Sequence, residues 1–106
     1  MKYKLQQTDT IGEDLKDIFL YIASYSTTKA KGFLHNFNTT AKLLEESPRL
    51  GRKLDEFDII LVKGLKLENT HKLIFEDYII YYSVDDKKQI IYLENIVHSA
   101  KEPMQY

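Results

Sequence analysis

The C-terminal third of the chain contains three runs of alternating apolar and polar positions, separated by short charged clusters. The runs cover residues 71–75, 78–84 and 89–98. They are rich in β-branched and aromatic residues, and the charged residues at 76–77 and 85–88 are typical of tight turns. We therefore predict three consecutive antiparallel strands that lead into a polar segment at 99–102.

The first of two upstream stretches has the spacing of an amphipathic helix. Its apolar stripe comprises Ile11, Leu15, Ile18, Phe19 and Ile22. A Thr-x-x-Glu capping box that starts at Thr10 predicts the beginning of this helix, and the hydroxyl residues after Tyr25 predict its end. Asp14 and Asp17 are expected to face outward, away from the stripe.

The second helical stretch spans roughly residues 28 to 46 and follows the hydroxyl residues 26–28, which are favourable N-caps. Its apolar stripe comprises Ala30, Phe33, Phe37, Ala41 and Leu44. The Ser-Pro pair at 47–48 ends the helix, because proline cannot continue the hydrogen-bond ladder. Two such helices with a short link form an antiparallel hairpin, and their joint apolar surface must be buried.

The remaining segments complete the predicted architecture. Residues 2–7 alternate enough to form a short strand, with Tyr3 and Leu5 on one face. Residues 48–69 are the least regular part, and the apolar run at 59–62 fits either a strand or a buried loop. The element order predicts an α+β, two-layer domain over residues 1–106, with an N-terminal strand, an antiparallel helical hairpin and then an antiparallel β-meander.

Strand alternation assigns side chains to the two faces of the predicted sheet. With Asp86-Lys87 at the centre of the second turn, Val84 opposes Gln89 and Tyr81 opposes Tyr92. The face expected against the helices comprises Leu73, Phe75, Ile80, Tyr82, Val84, Ile91, Leu93 and Val97. The other face comprises Lys72, Ile74, Ile79, Tyr81, Ser83, Ile90, Tyr92, Glu94, Ile96 and His98. Two layers leave that second face uncovered, so its apolar residues predict a partner.

Composition narrows the classes of function. The chain has 106 residues, is 43% hydrophobic and 29% charged, and is long enough for one core. The absence of cysteine excludes disulfides, thiolate metal sites and cysteine catalysis. No apolar run approaches the ~20 residues that cross a bilayer, and the N-terminus lacks a signal-peptide core, so we expect a cytoplasmic protein with no membrane partner. The net charge of −1 implies no general attraction to nucleic acid.

Three parts of the chain resemble the RelE/ParE superfamily, the toxins of bacterial type II toxin–antitoxin systems. Residues 14–23, DLKDIFLYIA, are similar to the DLxDIxxYIA helix of the ParE-like branch. Residues 44–52 match that branch's L-x-x-x-P-x-L-G-R exit from the helices. Residues 80–86 and 96–102 resemble its IFYRVDD and VLHGARD segments. The parts occur in the right order over nearly the whole chain.

The resemblance implies a small toxin that an antitoxin encoded beside it holds inactive, in a toxin–antitoxin hetero-oligomer. Such antitoxins commonly lay a helix or strand across the toxin, which agrees with an uncovered sheet face. Two activities occur in the superfamily. RelE-like and YoeB-like members cut mRNA in the ribosomal A site, whereas ParE-like members poison DNA gyrase without chemistry.

RNA cleavage needs a base for the 2′-hydroxyl, a cation for the crowded phosphate and an acid for the leaving oxygen. The YoeB-like strand motif HRLVYAV has an arginine where this chain has Ile79, which can supply none of these. The nearest replacement cation is Lys72, a point charge without the bidentate fork of arginine. His98 matches a histidine that both branches have near the end of the last strand. It is interpreted either as a general acid or base or as a structural residue that hydrogen-bonds the C-terminal segment. With Glu94 on the same predicted face, these residues form the candidate catalytic set.

Five further residues are candidates for binding RNA, phosphate or a protein partner. Tyr81 and Tyr92 have the rings needed to stack on unpaired bases, although cross-strand packing or antitoxin contact is favoured. Arg49, Arg52 and Lys53 form a basic cluster beside the sheet. In the functional interpretation these three cations contact phosphate groups. In the alternative, Arg49 complements the negative end of the helix dipole and the other two side chains are solvated.

The missing strand arginine and the near-neutral charge favour a ParE-like toxin that binds gyrase. A ribosome-dependent mRNA endonuclease and a relative that retains only antitoxin binding are the alternatives. His35 and His71 have no neighbours at ligand spacing, so we expect neither a metal site nor a cofactor.

Overall fold

The computed structural model describes residues 2–54 and 70–99. The elements in these residues are β1 (Lys4–Gln7), α1 (Asp9–Ala23), α2 (Thr27–Glu46), β2 (Arg52–Lys53), β3 (Thr70–Phe75), β4 (Tyr78–Asp85) and β5 (Ile90–His98). The predicted strand, helical hairpin and meander are confirmed. The apolar run at 59–62 lies outside the described residues.

Within the described residues the strands form one sheet of order β1-β5-β4-β3-β2. β1 runs parallel to β5, with Lys4 opposite Ile90 and Gln7 opposite Leu93, and the other neighbours are antiparallel. Parallel neighbours need a long crossover connection. Here the helical hairpin and the strands β2–β4 lie between the two strands in sequence, so the first and last strands of the described residues are neighbours in the sheet.

The start of α1 differs from the predicted capping box. The N-cap is Thr8, whose Oγ1 accepts a hydrogen bond of 3.3 Å from the backbone N–H of Ile11. The backbone N–H of Thr8 also donates to the carbonyl of Leu93 at 3.1 Å. Because pairing with β5 holds Thr8 in an extended conformation, the helix begins two residues early and Thr10 lies inside its first turn.

The second helix begins and ends close to its predicted limits. Ser26 is the N-cap, and its Oγ accepts a hydrogen bond of 3.1 Å from the N–H of Lys29. Both helices pack on one face of the sheet, where the core contains Ile11, Ile22, Ala30, Phe33, Phe37, Leu44, Phe75, Ile80, Tyr82, Val84, Ile91, Leu93 and Ile96. Phe33 and Phe37 lie with ring centroids 5.6 and 6.0 Å from Phe75, which anchors α2 on the β3–β4 hairpin.

The second turn of the meander is longer than predicted. Asp85 pairs with Ile90, so the loop has four residues, and its last residue, Gln89, has a φ of 55°. The N–H of Lys88 donates to Asp85 Oδ1 at 3.1 Å, which stabilises the turn. The predicted pairs Val84–Gln89 and Tyr81–Tyr92 are therefore wrong.

A β-bulge in β5 changes the face assignment of the residues that follow it. Tyr82 pairs with Leu93 but Tyr81 pairs with Asn95, which leaves Glu94 as an extra residue. An extra residue reverses the in–out alternation of the strand beyond it. Ile96, predicted on the outer face, is therefore buried beneath the helices, and Val97, predicted in the core, packs on the outer face with Ile79.

Tyr82 connects the sheet to the segment that follows α2. Its side chain is fully buried, and its hydroxyl accepts a hydrogen bond of 2.8 Å from the N–H of Gly51. A Cβ at residue 51 would lie 2.6 Å from the Lys72 carbonyl oxygen and 2.9 Å from the Tyr82 hydroxyl. Any larger side chain at residue 51 would clash with these atoms, so the position requires glycine. Burial raises the pKa of Tyr82 and keeps its hydroxyl neutral.

An exposed polar triad joins three separate segments. Asp86 accepts a hydrogen bond of 2.8 Å from the Tyr3 hydroxyl and forms an ion pair of 2.7 Å with Arg49. The hydrogen bond from Tyr3, followed by that from Arg49, holds the pKa of Asp86 below its ordinary value of 3.8. The triad therefore connects the N-terminus, the segment after α2 and the β4–β5 turn while Asp86 is ionised.

We expect Gly51→Ala to lower the free energy of unfolding by about 1–3 kcal/mol, the usual cost of forcing an extra methyl into a filled site. Urea titration followed by circular dichroism measures the change. Gly12→Ala is the matched control, because a Cβ at residue 12 meets nothing within 4 Å and alanine favours a helix. Equal stabilities for the two variants would contradict the contact at residue 51.

We expect Asp86→Asn to be less stable than the wild type at neutral pH, with a difference that vanishes in acid. A carboxyl whose folded pKa is depressed stabilises the fold above its ordinary value of 3.8, and this stability is lost as pH falls through the folded pKa. Urea midpoints between about pH 7 and about pH 2.5 test this. Lys87→Gln should keep the wild-type pH profile, and a pH-independent deficit in Asp86→Asn would contradict the assignment.

Candidate functional site

Cross-strand pairing places four of the polar side chains in one row on the sheet face opposite the helices. Arg52 pairs with Lys72, Lys72 with Tyr81, and Tyr81 with Asn95. Directly opposed residues share a face, so β2 and β3 present two cations beside each other at one end of this row. Arg52 is exposed and Lys72 is half-buried.

The centre of this outer face is closed, contrary to the predicted uncovered surface. Ile79 is fully buried and Tyr81 is 3% exposed, in a cluster with Leu54 and Val97. Leu54 is held there by a hydrogen bond of 2.8 Å from its N–H to the Thr70 carbonyl. The ring of Tyr81 is therefore a packing element, whereas Ile74, at the end of β3, remains 63% exposed.

Two of the three residues predicted to form a catalytic set, Lys72 and His98, lie on opposite faces of the sheet. Lys72 lies on the outer face, whereas the bulge places His98 opposite Tyr78 on the helix-covered face. The His98 and Tyr78 rings meet edge to face, with centroids 5.3 Å apart. The prediction that Lys72 and His98 share a face is wrong, because it assumed unbroken alternation along β5.

Glu94, the third member of that set, is the extra residue of the bulge. Its backbone carbonyl accepts a hydrogen bond of 3.1 Å from the Thr8 hydroxyl. Its Oε2 is buried and has no hydrogen-bond partner among the described residues. The position of Glu94 ties the bulge to the start of α1, and its catalytic role stays a prediction.

The predicted basic cluster is divided among three environments. Arg49 is committed to the ion pair with Asp86, which raises the pKa of its guanidinium. Arg52 belongs to the outer-face row, and Lys53 pairs with His71, which stacks on Tyr82 with ring centroids 5.2 Å apart. Tyr92 pairs with Ser83 and Gln6 on the outer face and is half-buried. Binding roles for these residues stay predictions.

A cleft that the sequence did not suggest lies between α1 and the ends of β4 and β5. It has a volume of about 760 Å³ and is lined by Asp14, Asp17, Ile18, Tyr21, Tyr25, Asp77, Tyr78, Ile96, Val97 and His98. We name it the Tyr–Asp cleft. The spacing of Asp14, Asp17 and Tyr21 along one side of α1, with Tyr25 just after its end, was the available signal. Asp14 and Asp17 were instead assigned to open solvent.

Hydrogen bonds and charge shape the Tyr–Asp cleft. Asp14 Oδ2 accepts a long hydrogen bond of 3.5 Å from the N–H of Ile96, and the Asp77 carbonyl accepts one of 2.8 Å from Ser99. Burial is the largest cause that raises the pKa of Tyr78, and its proximity to Tyr25, Asp77, Tyr21 and Glu76 raises that pKa further. The cleft is therefore an aromatic cavity that three acidic residues, Asp14, Asp17 and Asp77, also line.

Across residues 2–54 and 70–99, no group of three or more histidine, aspartate or glutamate side chains is placed to hold a metal ion. No helix in those residues combines the length and apolar character needed to cross a bilayer.

Solved structures with the same fold come from toxin–antitoxin systems. A chain of the chromosomal ParDE system from P. aeruginosa superposes with a TM-score of 0.66 at 16% identity, covering 92% of this chain and 96% of that one. A RelBE complex from Mycobacterium tuberculosis gives 0.57 at 20% identity, covering 92% and 99%. The E. coli RelBE complex gives 0.54 at 15% identity, covering 91% and 95%.

The sequence itself matches a family model. The model described as "ParE toxin of type II toxin-antitoxin system, parDE" matches residues 5–103, which is nearly the whole chain. No curated protein sequence gives a significant match. At these identities the structural likeness shows the fold alone, whereas the family match covers β1, both helices and the meander. The chain belongs to the ParE toxin family of type II toxin–antitoxin systems.

Proposed function

We propose that this ParE-family toxin arrests growth in the cytoplasm by binding and poisoning DNA gyrase, without cleaving RNA. A cognate antitoxin holds it inactive in a hetero-oligomer until the antitoxin is lost. The antitoxin partner is supported by the ParDE and RelBE systems that share the fold. The choice between gyrase and the ribosome depends on the geometry of the candidate residues.

The separation of Lys72 from His98 by the sheet is the observation that favours binding over catalysis. Cleavage at a 2′-hydroxyl requires a base, a cation and an acid around one phosphate. Lys72 and His98 project from opposite faces of the sheet, so one phosphate cannot contact both. The strand position where YoeB-like toxins have arginine is occupied by Ile79, which is fully buried.

Charge supports the same choice. Entry into an RNA-lined site gains affinity from the neutralisation of phosphates by cations. This chain has a net charge of −1, and Arg49 is already paired with Asp86. The competing mRNA endonuclease has one observation in its favour, the adjacent Arg52 and Lys72 at the end of the outer-face row.

Pulse-labelling after induced expression tests the proposal. We expect thymidine incorporation to fall within minutes and methionine incorporation to follow later, because a poisoned gyrase stops replication first. Co-expression of the neighbouring antitoxin should prevent both effects. An earlier fall in methionine incorporation would replace the proposal with the endonuclease, and no fall in either would leave a relative that only binds its antitoxin.

Single substitutions at the candidate catalytic residues give an independent test. We expect Lys72→Ala and His98→Ala to retain growth arrest and inhibition of purified gyrase within about twofold, since a broad protein interface tolerates the loss of most single side chains. A nuclease would lose about 100-fold or more with either change. Ribosomes programmed with mRNA supply the contrasting assay, in which wild-type cleavage that either variant abolishes would contradict gyrase binding as the mechanism.

A further inference from the structure

The Tyr–Asp cleft is bordered by large side chains that the fold leaves in solvent. Tyr21 and Tyr25 are 68% and 62% exposed, and the adjacent Leu20 is 55% exposed. The two tyrosine rings contact each other edge to face, with their centroids 5.8 Å apart, and so form one aromatic platform. Contiguous exposed apolar surface beside a cavity is characteristic of an interaction site.

The charges that face this platform have one sign. Asp14 and Asp17 lie on α1 and Asp77 lies in the β3–β4 turn, and all three line the cleft. The described lining residues include neither lysine nor arginine, and His98 is the remaining titratable group besides the tyrosines. The carboxylates would repel a phosphate. A cation would be attracted both to the carboxylates and to the faces of the aromatic rings.

We propose that the Tyr–Asp cleft binds a basic side chain of the antitoxin, arginine in preference to lysine. A guanidinium is planar, pairs with carboxylates in a bidentate manner and stacks on aromatic rings, so it uses both features of the cleft. Apolar neighbours of that side chain in the antitoxin cover Leu20 and Tyr25. This inference rests on the proposed function, because it assigns a contact to the antitoxin named there.

The exposed apolar surface favours the antitoxin over the cellular target as the occupant. Permanent complexes bury more apolar surface than transient ones. A toxin stored with its antitoxin keeps such a partner bound for most of its lifetime, and the partner then shields Leu20, Tyr21 and Tyr25 from solvent. The carboxylates of the cleft also supply specificity, since a carboxylate that a partner buries without supplying a cation is costly.

Equilibrium binding of the purified chain to the short protein encoded beside it tests the proposal. We expect Asp17→Asn to weaken binding about 10-fold or more. The matched control is Glu13→Gln, which removes one charge from α1 at a position outside the cleft and should change binding less than about twofold. Tyr21→Ala should weaken binding similarly, and Leu43→Ala, which truncates an exposed apolar residue of α2, should not. Thermal unfolding confirms that each variant is folded.

A double-mutant cycle identifies the cation. Each arginine and lysine of the antitoxin is replaced by alanine and measured against the wild type and against Asp17→Asn. We expect one antitoxin replacement to weaken binding to the wild-type toxin about 10-fold but to weaken binding to Asp17→Asn by less than about twofold. Such non-additivity demonstrates direct coupling between the two side chains. Additive effects at every position, or equal losses for Glu13→Gln and Asp17→Asn, overturn the proposal.

Further outcomes separate this inference from the proposed function. The binding measurement contains no gyrase, so a failure of the gyrase proposal leaves its result unchanged. A wild-type chain that does not bind the neighbouring protein overturns the antitoxin partner and this inference together. Normal binding by all variants overturns the inference alone. If sedimentation shows that the isolated chain forms a dimer and that Tyr21→Ala abolishes this dimer, the cleft is assigned to a second copy of the chain. That result also overturns the inference.

Discussion

The extra residue Glu94 in β5 determines which side chains this protein presents on each face of its sheet. Side chains along a strand alternate with a period of two, so one inserted residue exchanges the faces of every residue beyond it. Ile96 is thereby buried beneath α1, and His98 is brought beside Tyr78. The same insertion removes His98 from the face that presents Lys72. The bulge thus shapes both the core and the surfaces available for function.

Contacts between distant segments hold this arrangement in place. Thr8 bonds to the carbonyls of Leu93 and Glu94 on one side of the bulge and caps α1 on the other. On β4, the buried hydroxyl of Tyr82 accepts a hydrogen bond from the N–H of Gly51, which fixes the path of the chain out of α2. The helical hairpin is therefore attached to the sheet at both of its ends.

The sequence was sufficient for the element order, because each element has local signals that agree with its packing. Ser26 caps α2 and Ser47-Pro48 stops it, and the apolar stripes of both helices match the buried residues. The errors have a different physical origin. Neither the bulge at Glu94 nor the four-residue loop that ends at Gln89 has a distinctive local composition, since both arise from pairing between strands. The Tyr–Asp cleft combines residues 14 and 98, whose proximity depends on the crossover of the whole chain.

The short length of β1 has a consequence for how isolated copies of the toxin behave. β1 pairs with Ile90–Leu93 and stops there, so within the described residues no strand neighbours this edge of β5 beyond Leu93. Such edges are templates on which another chain can add a strand and begin aggregation. Asp14 bonds the N–H of Ile96 at this edge. Its carboxylate occupies a donor that an incoming strand would need and repels that strand's carbonyl oxygens, which disfavours strand addition at this edge.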